Sequence, residues 1–222
     1  MKNRNMRTIA DLRGLRFPDI YVVRMLFKEG LQRVQGRVLE LGCGNGNNLL
    51  PFADFGWDVT GLDISGEALA DARHNFAGRG TFIECDLATD FPLSEGEIFD
   101  AILLPNIIYY LPRRSFTRVL QECRRRLRPA GMFFLSARLP EDWRWGRGKE
   151  EEPGGFRLEC RETGEHGLLN VFYSADELSA LIRIHFGELS CPQRLFVTYD
   201  NPQGGIVIRN ADVVFWGRLV ET

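Results

Sequence analysis

Apolar residues recur along the chain in short runs that end on a polar side chain, and helical patterns separate those runs. RVLEL, WDVTGLD, RGTFIECDL, FDAILLPN and MFFLSAR read as five strands. FDAILLPN is continuously apolar, as a strand buried on both faces should be. Between the runs, NNLLPFADFG reads as a helix closed by Gly56, with Pro51 tolerable only in its first turn. SGEALADARHNF reads as a helix capped by Ser65, with Ala68, Leu69, Ala72 and Phe76 on one apolar face. SFTRVLQECRRRLRPAG reads as another, stopped by Pro129 and Gly131. Ahead of them all, Ile20, Val23, Leu26, Phe27, Leu31 and Val34 fall at helical spacing over residues 18 to 35, between Pro18 and Gly36. Strands alternating with helices predict an α/β fold with a doubly wound, parallel sheet.

The rhythm breaks after Arg138. LPEDWRWGRGKEEEPGG is polar and turn-rich, with two tryptophans. FRLECRETGEHGLLNVFYS reads as two strands around a turn at GEHG. SADELSALIRIHFG is a further helix, with Ser174 as N-cap and Glu177 completing a capping box. LFVTYDN and ADVVFWGRLV close the chain as two β-runs that pair most simply as antiparallel neighbours.

Composition narrows the class. The chain has 222 residues, 44% of them hydrophobic, enough for one large domain with a core of its own. A net charge of −2 asks for no nucleic-acid or anionic-membrane partner. Five cysteines without CxxC spacing, and three scattered histidines, fit a reduced chain with no metal site. No apolar stretch approaches the roughly 20 residues of a membrane helix, and the basic N-terminus lacks a signal-peptide core. A cytoplasmic location is expected.

The candidate chemistry sits where the runs end. Glu40, Asp63, Asp86 and Asn106 all fall at strand ends, where open α/β sheets bind their ligands. VLELGCGNGNN then places Gly42, Gly44 and Gly46 directly after the first strand, where glycine permits both a tight turn and close approach of a ligand to backbone. A dinucleotide fingerprint would put glycine at 47, which is Asn47, and no P-loop Gly-Lys-Ser/Thr follows. Asp63 suits a ribose diol or, alternatively, a cap for the next helix. Asp86 suits the exocyclic amine of an adenine, with the Leu87 backbone completing the edge and Ile64 and Leu87 enclosing the base. Its competing reading is a solvated loop acid.

Taken in order, ELGCGNG, GLDIS, CDLATDFP, FDAILLPNIIYYLP and LRPAGMFFLSAR resemble the motifs of class I S-adenosylmethionine-dependent methyltransferases. The resemblance covers about residues 34 to 138. It implies a Rossmann-like sheet of seven mostly parallel strands with a last antiparallel strand, here carrying a small β-hairpin insertion. It also implies a single methyltransferase domain over 1–222, with an N-terminal helical cap at 1–35 and an acceptor-side insertion at 139–175. The implied cofactor is S-adenosyl-L-methionine. Gly42, Cys43, Gly44, Asn45, Gly46 and Asn47 would hold its methionine part, Asp63 the ribose, and Asp86 with Leu87 the adenine. Pro105 and Asn106 would lie near the sulfonium, and Glu40 would face the positive end or orient the glycine loop. Pro129-Ala130-Gly131 departs from the common Pro-Gly-Gly, and Cys43 occupies a variable position.

Acceptor-side candidates for catalysis are Asn106, Tyr109, Tyr110 and His166, with Tyr173 behind them. Helix packing competes as the role of the paired tyrosines, and a plain surface turn as the role of His166. LPNIIYY lacks the Asp/Asn-Pro-Pro-aromatic motif of base-amine methylation, and neither a Pro-Cys nucleophile nor a catechol-type metal set is evident. RRRLR lies on a helix beside Glu122 and reads as a solvated face, while Arg4, Arg7, Arg13 and Arg16 form a basic arm. A small-molecule acceptor is therefore expected. An RNA or protein methyltransferase and a non-catalytic cofactor-binding protein are the alternatives, and the oligomeric state is not legible.

Overall fold

The computed structural model describes residues 8–203 and 205–220; Arg4 and Arg7 of the basic arm lie outside them. Helix α1 spans Ile20–Lys28, with Asp19 as N-cap accepting from the Tyr21 amide at 2.7 Å. It buries Val22, Met25 and Leu26 and leaves Ile20 and Phe27 exposed. The apolar stripe is thus rotated from the expected one. The expected single helix over 18–35 breaks at Gly30, which takes a left-handed φ of 73° before a one-turn 3-10 helix at Leu31–Arg33.

The alternation then unfolds as expected. β1 (Arg37–Leu41), α2 (Leu50–Asp54), β2 (Asp58–Asp63), α3 (Gly66–Asn75), β3 (Thr81–Glu84), β4 (Phe99–Leu104), α4 (Arg113–Arg126) and β5 (Leu127–Arg138) follow in order. Pro51 sits in the first turn of α2, and the Ser65 hydroxyl caps α3 by accepting from the Ala68 amide at 3.2 Å. One junction differs. α4 stops at Arg126 and β5 begins at once, so Pro129-Ala130-Gly131 is an irregularity inside β5 rather than a linker. The β4–β5 register jumps from Phe99–Leu127 to Ala101–Met132, and Ala130 absorbs the bulge at a φ of 58°.

The insertion holds three strands, not two: β6 (Gly148–Glu152), β7 (Gly155–Leu158) and β8 (Leu169–Val171). They form a small antiparallel sheet in that order. α5 (Ala175–Phe186) follows, capped by Ser174 at 3.1 Å from the Glu177 amide. The reciprocal half of the expected capping box is replaced, because the Glu177 carboxylate pairs with Arg113. β9 (Leu189–Gln203) and β10 (Ile206–Leu219) complete the chain.

The main sheet has seven strands in the order β3-β2-β1-β4-β5-β10-β9. β1 to β5 pair in parallel, and β10 runs antiparallel to both β5 and β9. Each face carries its own core. Met25, Phe52, Phe134 and Trp216 mark the face covered by α1, α2 and α3, and Phe116, Phe133 and Phe186 the face covered by α4 and α5. The strand order turns back at β1 and β4, which opens a crevice beyond their carboxyl ends. Among the described residues no helix is long and apolar enough to cross a membrane.

Candidate active site

The crevice is built first from the glycine loop after β1. Gly42, Gly44 and Gly46 all hold left-handed φ values, 71°, 52° and 78°. A Cβ at Gly42 would meet the Ile107 side chain at 2.7 Å, whereas one at Gly44 would meet open space. Gly42 is therefore glycine for packing and torsion. Gly44 exposes backbone to the crevice. The Gly42 and Cys43 amides both donate to the Leu62 carbonyl, which locks the loop to β2.

Asp63 ends β2 and performs two local tasks. Its Oδ2 accepts from the Gly44 amide at 2.7 Å and its Oδ1 from the Ser65 amide at 2.8 Å. One carboxylate thus fixes the glycine loop and the entry to α3, and each oxygen keeps further acceptor capacity. Beside it Ile64 is an exposed apolar side chain, while Leu87 is buried at the end of the next strand. Asp86 Oδ1 accepts from the Ala88 amide at 2.8 Å, and Arg118 donates to the Leu87 carbonyl at 2.8 Å. Pro105 is buried, and Asn106 is exposed with a φ of 55°. Ser136 holds that strained turn, accepting from the Asn106 amide at 2.8 Å.

Glu40 is fully buried at the middle of the floor. Asn48 Nδ2 donates to its Oε1 at 2.7 Å, but its Oε2 is buried with no hydrogen-bond partner. Burial, opposed by the Asn48 bond and reinforced by the nearby charges of Asp63 and Asp19, pushes its pKa up to about 8.

Three side chains of the loop, those of Cys43, Asn45 and Asn47, are engaged elsewhere, which leaves their backbone as what they offer a ligand. The Cys43 side chain is turned into the core, where its sulfur would lie 2.5 Å from a Cβ at Gly61, and burial pushes its thiol pKa up. The Asn45 and Asn47 side chains face the N-terminal segment. Asn45 Nδ2 donates to the Arg13 and Leu15 carbonyls at 2.6 and 2.7 Å, and Asn47 Nδ2 to the Phe17 carbonyl at 2.8 Å. Asn48 accepts from the Asp19 amide at 2.7 Å, and Asn75 grips Arg13 from α3. Residues 13–19 are therefore a strap sewn across the glycine loop, which no local motif announced.

The acceptor-side candidates separate. Asn106 Nδ2 reaches Asp19 Oδ2 at 3.3 Å. Tyr109 is buried under the Arg138 guanidinium, 3.9 Å from its ring centroid, and Tyr110 donates to Glu165 at 2.9 Å. Burial raises both phenol pKa values. Tyr173 is a core residue against Phe116. His166 is exposed in its turn, whereas its neighbour Glu165 is buried between Arg138 at 2.8 Å and Arg144 at 2.5 Å. The basic run lies largely on the surface, as expected, and pairs within the chain: Arg125 and Arg126 with Glu122, and Arg128 with Asp100.

Residues 38–131 match the family of methyltransferase domains. Over these residues the chain is similar to the class I S-adenosylmethionine-dependent methyltransferases. It is 34% identical over 101 residues to a ubiquinone biosynthesis O-methyltransferase of Sinorhizobium medicae, covering 45% of this chain and 40% of that protein. The chain thus spans less than half the length of that relative. An S-adenosylmethionine-dependent methyltransferase of Methanosarcina mazei shares the fold at a TM-score of 0.67, with 22% identity over 84% of this chain and 94% of that one. The 1,6-didemethyltoxoflavin-N1-methyltransferase of Burkholderia thailandensis, solved with its acceptor and S-adenosylhomocysteine, gives 0.59, with 18% identity over 90% and 76%.

S-adenosylmethionine is this family's cofactor, and the crevice fits it. The unpartnered Glu40 oxygen suits a cationic group, the open face of Gly44 suits an extended ligand, and Asp63 at the end of β2 with Asp86 just past β3 suits the hydroxyls and amine of a nucleoside.

Proposed function

We propose that the protein methylates a hydroxyl of a small-molecule acceptor. The supporting observation is the buried, unpartnered Glu40 oxygen beneath an open glycine loop, on a methyltransferase sheet whose neighbouring strand ends carry Asp63 and Asp86. The O-methyltransferase similarity motivates the choice of a hydroxyl.

The bound sulfonium supplies a methyl group already activated for in-line displacement. The protein's own contribution is then alignment and exclusion of water. In this reading Asp63 takes the ribose hydroxyls and Asp86 the adenine amine, with Ile64 and Leu87 on either face. Gly42, Gly44 and Gly46 offer backbone to the methionine part, and Asn106 borders the methyl. The N-terminal strap covers the cofactor, and residues 139–175 wall the acceptor side. The macromolecular alternative draws little support from the arginine run, since three of those residues pair with the protein's own acids.

A radiolabelled-methyl assay on cell extract, divided by size, tests this. Label in the small-molecule fraction as a base-stable ether is expected. Label confined to protein or RNA would reject the reading, and absence of S-adenosylhomocysteine binding in titration calorimetry would reject its cofactor half.

A further inference from the structure

The acceptor side contains a carboxylate with no part in holding the cofactor. Asp212 lies on β10 directly opposite Arg138, the last residue of β5. Strand alternation puts Ser136, Arg138, Asp212 and Val214 on one face, the face packed by α1. Ser136 holds Asn106 from that face, and Asn106 in turn reaches Asp19 at the start of α1. Asp212 is half-buried there. Among the described residues its carboxylate takes neither a hydrogen bond nor an ion pair. Arg138, its cross-strand neighbour, turns its guanidinium to Glu165 and Asn170 instead.

The charges around Asp212 come from every neighbouring element. Burial raises its pKa to about 6. Arg138 and Arg144 oppose the shift, and Asp142 and Asp19 reinforce it. Tyr109 and Tyr199 lie within its electrostatic reach. An exposed aromatic side chain adjoins this place: Tyr199, on β9 two residues from the strand partner of Asp212, is 54% exposed. A polar floor bearing one unengaged carboxylate, next to an exposed aromatic ring, matches an aromatic molecule that presents a single protic group.

We propose that Asp212 is the general base for methyl transfer, and that the acceptor is an aromatic hydroxyl compound. The inference rests on the hydroxyl-acceptor reading above. The acceptor oxygen forms its bond to the methyl carbon while the methyl's former bonding pair stays with sulfur. The hydroxyl proton passes to the Asp212 carboxylate and from there to solvent. A base of this kind works best when its own pKa lies close to working pH.

Wild type and Asp212→Asn are compared in three measurements. Calorimetry with S-adenosylhomocysteine should give affinities within threefold of each other, because Asp212 stands apart from the glycine loop. Carbon NMR of aspartate-labelled protein should show one carboxyl titrating near pH 6 that vanishes in the variant. Methyl transfer to a pool of catechol, para-hydroxybenzoate and umbelliferone should fall about 10² to 10⁴-fold and lose its acidic limb. Asp212→Ala, with partial rescue by added formate, decides the same question should the amide variant fold poorly.

Transfer by Asp212→Asn within threefold of wild type, or no carboxyl lost from the titration, overturns the base and leaves the O-methyltransferase reading standing. A wild-type protein that binds S-adenosylhomocysteine and yields a labelled ether from cell extract, but labels no phenol, overturns the aromatic acceptor and leaves the O-methyltransferase reading standing.

Discussion

Asn48 Nδ2 donates to Glu40 Oε1 at 2.7 Å, and this single bond leaves the other Glu40 oxygen buried and unanswered. The pKa pushed up to about 8 keeps the side chain largely neutral at pH 7. A raised carboxyl favours the folded state in full below its unfolded value near 4.5, and the benefit is lost as pH rises through about 8. Wild type should therefore lose stability between pH 5 and 9 relative to Glu40→Gln, by on the order of a few kcal/mol. Urea unfolding across that range checks it, and parallel pH profiles for the two proteins would refute it. A cationic cofactor should also ionise Glu40. Binding of S-adenosylmethionine at pH 7 should then release a proton, visible as buffer-dependent heat that Glu40→Gln abolishes.

The strap makes a second prediction. Asn45 Nδ2 holds two carbonyls of residues 13 and 15, and a Cβ at Gly14 would meet its Cγ at 2.9 Å. Asn45→Ala strands those two bonds and should cost about 1–3 kcal/mol. Gly14→Ala should loosen the same seam, since φ there is 67°. Trypsin should cut after Arg13 and Arg16 at least tenfold faster in Asn45→Ala, and S-adenosylhomocysteine should slow the cut in wild type. Equal cleavage rates would show that the seam is not what holds the segment.

Much of the fold is legible in the chain because buried strands leave apolar runs with polar ends. Asp63 and Asp86 fall at strand ends on that pattern alone. Ser65 and Ser174 read as caps because capping is local. Other features depend on distance in sequence. The strap joins Asn45 and Asn75 to Arg13 across 32 and 62 residues, and nothing in NGNN reports it. β6 reads as loop because its Lys149, Glu150 and Glu151 are exposed and leave no alternation. Asp212 is hidden inside ADVVFW, which reads only as strand. At GEHG, His166 stands out as the residue type that titrates near neutral pH, yet packing buries the acid before it.

Asp63 carries the third prediction. Asp63→Ala removes the acceptor for the Gly44 and Ser65 amides as well as any bond to the ribose. Affinity for S-adenosylhomocysteine should fall at least tenfold, about 1.4 kcal/mol or more. Asp63→Asn retains one acceptor oxygen and should fall less, because the loop stays tied. Calorimetry on the two variants separates the tasks: equal losses would mean that the carboxylate's own contact with the ligand, rather than the loop tie that Asp63→Asn retains, accounts for the effect, and no loss in either would remove Asp63 from the cofactor site.

Glu165 fastens the insertion to the sheet. It accepts from Arg138, Arg144 and Tyr110, and Arg138 covers the Tyr109 ring. Burial pushes its carboxyl up, but the two guanidiniums outweigh that and hold it below the ordinary range. Glu165→Gln leaves two buried cations underbalanced, which should cost about 3–5 kcal/mol. A lowered carboxyl stabilises above its unfolded pKa near 4.5, and that stability is lost as pH falls through the folded value. The gap between wild type and Glu165→Gln should therefore be widest at neutral pH and close on acidification. His166→Ala, one residue on and exposed, should stay within about 0.5 kcal/mol of wild type. Thermal unfolding of the three proteins from pH 3 to 7 decides the matter. Equal shifts for the two variants would mean that the turn as a whole, rather than the Glu165 charge, joins the insertion to β5.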